Sequence, residues 1–215
     1  LPEAPAAPEE PPAARAIRRA TELAGLGRRL DAILVLRQLL QESPGEVSAR
    51  ALLAALLDLS GDPEEALEEL ARAIKASPGN ADLLVQRGAL YIRIAKPGEA
   101  EPDLRAALRA VPGHPEALHQ LGLSLLRRGR GAEAVEELAR AAELAPDDPE
   151  IAFHQGEALH HIGTLPAALK ALERSARLAP NLPRTWQRLG RVLDQMGRTD
   201  EAMAMYRKAR EVSVA

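Results

Sequence analysis

The chain has 215 residues and a formal charge of −3; 46% of its residues are hydrophobic, but only Tyr91, Phe153, Trp186 and Tyr206 are aromatic. The balanced charge excludes the dominant basic footprint of a nucleic-acid or membrane-surface binder. With no cysteine, disulfide frameworks, thiolate metal sites and cysteine nucleophiles are excluded, and no apolar run approaches the roughly 18 residues of a membrane-spanning helix.

The first segment, residues 1–12, reads LPEAPAAPEEPP. Pro2, Pro5, Pro8 and Pro11 recur every third residue, so in polyproline II, with about three residues per turn, they form one ridge. Such a segment is a semi-rigid spacer, or an arm that docks on its own chain or a neighbouring molecule. The chain starts with Leu1 rather than Met. With the Pro/Ala/Glu-rich lead-in and the lack of cysteine, this leans toward an exported bacterial protein, periplasmic or extracellular, over a trimmed cytoplasmic fragment.

From residue 13 the chain is periodic. The prolines that end its apolar runs are Pro44, Pro78, Pro112, Pro146 and Pro180, each 34 residues after the last. Ala32, Ala66, Ala100, Ala134, Ala168 and Ala202 keep the same step. So do Gly88, Gly122, Gly156 and Gly190, with Ala20 and Ala54 in the first two places. Gly27, Gly61, Gly129, Gly163 and Gly197 form a further series, broken only by Ala95. A fixed period of this size marks stacked supersecondary units, here 13–46, 47–80, 81–114, 115–148, 149–182 and 183–215.

Each unit reads as two helices. In 115–148, Pro115 opens the first helix, where its missing N–H costs nothing. Leu118, Leu121 and Leu125 share a face. Gly129 supplies a left-handed turn, Ala134, Leu138 and Ala141 line the second helix, and Pro146 stops it. The small residues belong where paired helices cross, because a larger side chain would force the axes apart. The third unit departs from this pattern. Ala95 stands at the turn, and Pro102 about one turn into the second helix predicts a late start or a kink there.

The last unit, TWQRLGRVLDQMGRTDEAMAMYRKA, places Trp186, Leu189, Gly190, Gly197, Ala202, Tyr206 and Ala209 at the signature spacing of the tetratricopeptide repeat (TPR) family, which the six units resemble. The unbroken step of 34 and the near-neutral charge speak against a 35-residue RNA-binding helical solenoid. The resemblance implies an all-α fold, an α-solenoid forming a right-handed superhelix of antiparallel helix hairpins. It also implies a binding scaffold without catalysis or cofactor. The sixth unit lacks the family's polar capping helix, which would leave Met203, Tyr206 and Val212 partly exposed.

The resemblance further implies that first helices line a concave groove. Its N-terminal third is then small and apolar, with Ala14, Ala51 and Ala55, while its C-terminal half is polar. The candidate partner-binding residues are His119, Arg127, Phe153, His154, Glu157, His161, Arg184, Arg188 and Arg191. Arginines would hold carboxylates or carbonyls and Phe153 would be an apolar anchor. The family's carboxylate clamp is not expected, since Asn80 and Asn181 both lie in loops.

His154, Glu157 and His161 share a face, but its ends lie about 10 Å apart, so no metal is expected. No nucleotide or nucleophile motif sits in a fitting context. The expected function is therefore a non-enzymatic scaffold binding a protein or peptide partner, with no nucleic acid and no direct membrane insertion. Two alternatives are a subunit that self-associates end to end through its last unit, and the substrate-recognition part of a larger enzyme.

Overall fold

The computed structural model describes residues 10–214. These residues form twelve α-helices in two compact units, one ending at Leu90 and the other starting at Tyr91. The first unit holds α1 (Pro12–Gly25), α2 (Arg29–Glu42), α3 (Val47–Ser60), α4 (Pro63–Ala76) and most of α5 (Ala81–Arg93). The second holds α6 (Pro97–Ala110), α7 (Pro115–Arg127), α8 (Gly131–Leu144), α9 (Pro149–His161), α10 (Leu165–Leu178), α11 (Pro183–Gln195) and α12 (Thr199–Val214). Every even-numbered helix starts 34 residues after the previous one, as the sequence period requires.

The hairpin turns are local chemistry. After α7, Gly129 N–H donates to Leu126 O at 3.0 Å and Arg130 N–H to Leu125 O at 2.9 Å, with Gly129 at φ 75°. Those paired bonds close a helix end through one left-handed residue. They recur at Gly27, Gly61, Gly163 and Gly197. Ala95 makes the same two bonds and is forced to φ 60°, where its methyl group is strained. Ala95→Gly should therefore stabilise the chain by about 1 kcal/mol, seen as a higher urea midpoint at unchanged slope.

The seam between hairpins is equally local. At ELAPDDPE, Asp148 Oδ1 accepts from Glu150 N–H at 2.8 Å and Ile151 N–H at 3.1 Å, capping α9, while Pro149 takes its first position.

Packing follows the small-residue series. Ala32, Ala66, Ala100, Ala134, Ala168 and Ala202 are all fully buried. One turn on, Leu36, Leu70, Leu104, Leu138 and Leu172 fill the core, each contributing about 2 kcal/mol of apolar burial. Their tips enter notches on the first helices: a Cβ added to Gly122 would stand 2.5 Å from Leu138 Cγ, and one on Gly156 2.5 Å from Leu172 Cγ. In the last hairpin the Tyr206 ring occupies the notch at Gly190. Tyr206 and Val212 remain half-buried and Met203 exposed, the partial exposure expected of this hairpin.

Two expectations need correction or restriction. The second helix of the third hairpin does not start late. α6 begins at Pro97, in phase with its equivalents, and continues through Pro102 to Ala110. Pro102 is exposed, and so is Gly98, whose carbonyl loses its helical donor at the protein surface. The proline-rich arm lies outside the described residues over 1–9, and Pro12 is already the first residue of α1.

Candidate functional site

In the second unit, α7, α9 and α11 are the first helices of three consecutive hairpins, and each packs on the next first helix in line. Side chains one repeat apart therefore meet. His119 Nε2 lies 2.8 Å from His154 Nδ1, with the rings 5.0 Å apart and tilted by 36°. The Phe153 ring stands edge-on to His154 at 5.4 Å, and the Arg184 guanidinium covers Phe153 at 4.6 Å. Arg184 pairs with Glu150 and Arg188 with Glu157, both by short ionic hydrogen bonds. His160 Nε2 lies 2.9 Å from Gln195 Oε1. Arg127 donates to the Ile92 carbonyl.

Of the nine residues read from the sequence, His119, His154, Phe153 and Arg184 thus meet in one cluster, with the Arg127 charge near His154, while Glu157 and Arg188 form a separate pair between α9 and α11. Phe153 and His161 of the nine have further contacts away from this cluster. Phe153 is no free anchor, because it is buried in a core cluster with Leu172, Trp186 and Leu189. His161 does not join the face: its ring covers Gly131 at the start of α8, where an added Cβ would approach its Cδ2 to 2.8 Å. Arg191 is exposed on α11 near Tyr206, whose hydroxyl donates to Asp194 Oδ2 at 2.7 Å. That bond holds the phenol above its ordinary pKa, and the Arg191 charge acts the other way.

Three contributors were not singled out from the sequence: Glu116, Glu150 and Gln195. The available clue was spacing. Glu150 and Arg184 differ by 34 residues, and His160 and Gln195 by 35, so each pair occupies neighbouring positions on successive helices. Glu116 precedes His119 by one helical turn; its Oε2 lies 3.6 Å from His119 Nδ1, and its Oε1 accepts from Gln120 Nε2 at 2.6 Å. Burial raises the Glu116 pKa, but the nearby His119 ring and the hydrogen bond from Gln120 outweigh it and leave the carboxyl below its usual range.

His154 is pushed down to about 3, first by burial, then by the charges of His119, Arg184 and Arg127, with Glu116 opposing. Unfolding restores its ordinary value of 6.5. Between these limits the unfolded chain therefore binds the extra proton, and stability, complete above pH 6.5, falls with acidification by up to about 1.4 kcal/mol per pH unit. A series of urea midpoints from neutral pH to pH 4 should show this slope, and His154→Gln should flatten it.

Sequence-family models described as tetratricopeptide repeat match residues 23–86, 85–149, 119–183 and 183–212. The chain belongs to the tetratricopeptide repeat family. No curated protein matches it significantly. Among solved structures, this tetratricopeptide repeat protein is similar to Pseudomonas aeruginosa PilF, with 22% identity and a TM-score of 0.80, covering 90% of this chain and 88% of PilF. MamA from Desulfovibrio magneticus RS-1 shares 21% identity at a TM-score of 0.70, covering 78% of this chain and 94% of MamA. YrrB, described as a TPR protein with an unusual peptide-binding site, shares 23% identity at a TM-score of 0.65, covering 82% of this chain and 91% of YrrB. At these identities the likeness is one of fold, that of a repeat scaffold. No helix among the described residues is long and apolar enough to cross a membrane.

Proposed function

We propose that this repeat protein is a non-enzymatic scaffold whose α7–α9–α11 face holds a peptide or protein partner. The observation that carries the reading is the pair of inter-helix ion pairs, Arg184–Glu150 and Arg188–Glu157, both bridging α9 and α11. Both pairs retain solvent contact, so each internal pair is worth little. A partner carboxylate can replace Glu150 or Glu157 on the same guanidinium at small net cost, gaining a charge-assisted bond. The peptide-binding site named for YrrB is consistent with this use of the fold.

End-to-end self-association is the weaker reading. Arg15, Arg19 and Glu22 on α1 hold the places that Ala49, Leu53 and Leu56 occupy one repeat later. The latter three are buried and the former three exposed. Stacking another hairpin on α1 would desolvate those charges. Selection from a displayed random-peptide library, followed by calorimetric titration of the selected peptide, tests the binding reading. Arg184→Glu with Arg188→Glu should weaken binding at least tenfold, while Arg140→Glu, on α8, should leave it unchanged. Equal binding by both variants rejects the assignment.

A further inference from the structure

The partner face contains a line of three ionisable groups whose hydrogens the geometry assigns. Glu116, His119 and His154 run from α7 to α9. His119 is buried to all but 6% of its surface. Its Nδ1 makes no hydrogen bond among the described residues, and the Glu116 carboxylate lies 3.6 Å from it. A ring lone pair aimed at a carboxylate is repelled, so Nδ1 carries the hydrogen and points it at Glu116. In the neutral ring, Nε2 of His119 is then the acceptor. The hydrogen in the 2.8 Å bond between the rings therefore sits on His154 Nδ1. That leaves the lone pair of His154 on Nε2, with no hydrogen bond to it among the described residues, on a ring that is only partly buried.

Each neighbour supports this arrangement. On α7, Gln120 fixes the Glu116 carboxylate from its other oxygen, at 2.6 Å. Arg127 on α7 and Arg184 on α11 place positive charge around His154, and burial together with these charges keeps its ring neutral. Glu150 and Glu157, on α9 itself, are taken up by Arg184 and Arg188. Phe153 holds the His154 ring from the side.

We infer that Glu116 and His119 fix His154 as a hydrogen-bond acceptor, so that this subsite takes a neutral donor of the partner, a backbone N–H or a hydroxyl, and turns away a carboxylate. The inference rests on the reading of this face as partner-binding. A carboxylate at the subsite would face a lone pair, and an ammonium would meet Arg127 and Arg184. A partner lacking the donor leaves the acceptor unpaired, which is how polar sites discriminate most sharply. The subsite thus complements Arg184 and Arg188, where acidic groups belong. A fitting peptide carries a hydroxyl or free backbone N–H beside a carboxylate. Glu116 and His119 act here as positioning residues, and His154 makes the contact.

The test is long-range proton–nitrogen correlation spectroscopy on the full chain above neutral pH, with His119→Gln and His154→Gln used to assign the rings. Both rings should be in the Nδ1–H form, the less populated one in free histidine. Glu116→Ala should return His119 to the Nε2–H form and, by reversing the bond between the rings, His154 with it. His154 found in the Nε2–H form in the unaltered chain overturns the inference. The ligand class is read with two probes of nearly equal size, N-methylacetamide, which has an N–H, and N,N-dimethylacetamide, which has none. Only the first should shift His154 Nε2, and an equal response to both rejects the donor assignment. These spectra need no partner, so their failure leaves the peptide-binding result standing, and failed peptide binding leaves the ring assignment intact.

Discussion

Gly156→Val should lower the unfolding free energy by about 3 kcal/mol, shifting the urea midpoint without loss of helical signal below it. A Cβ at Gly156 would lie 2.5 Å from Leu172 Cγ and 2.8 Å from Leu172 Cδ2, and 3.3 Å from the Ala168 carbonyl oxygen. Leu172 is fully buried, so its tip has no free volume to enter, and the carbonyl belongs to α10 itself. Valine's helix propensity, better than glycine's, offsets only a small part of this clash. The two positions are therefore coupled. Leu172→Ala alone should cost about 3 kcal/mol through its cavity, yet Gly156→Val with Leu172→Ala should cost clearly less than the sum of the single changes. Additive costs would mean that the two helices do not cross at these residues.

Arg50→Ala should cost about 2 kcal/mol. Arg50 Nη1 bonds Glu69 Oε2 at 2.5 Å, and the side chains are only 14% and 7% exposed. The same guanidinium donates to the Pro44 carbonyl at 2.8 and 3.2 Å, tying the loop before α3 to α4. Removing it strands a buried carboxylate and a carbonyl; Arg72, which also bonds Glu69, limits the damage. The remedy follows from the same cause. Arg50→Met with Glu69→Leu removes both charges and should restore most of the loss, because desolvation no longer opposes packing. If the double variant is as unstable as Arg50→Ala, the Pro44 contact rather than the buried charge carries the effect.

The 34-residue rhythm, the hairpins and their turns were legible in the chain because each arises within a few residues. Gly129 and Arg130 close α7 by bonds to carbonyls three and five residues back, Asp148 caps α9 through amides two and three residues on, and Pro146 stops α8 by lacking an N–H. The crossing points were legible too, since only glycine or alanine fits them. Pro102 did not delay the start of α6, because its missing N–H orphans only the Gly98 carbonyl, at an exposed position of the first turn.

What the sequence alone determined, then, was the fold class, the repeat phase and which helices could form a polar face. Tertiary structure decided which side chains on that face meet. Successive residues of a helix point about 100° apart, so a modest rotation of α9 against α7 and α11 selects different partners. That rotation set His154 against His119 and Arg184 over Phe153. It also buried Phe153 in the core and turned His161 toward α8. Rotation is fixed by the summed packing of every buried leucine and alanine, a long-range quantity that no local spacing encodes.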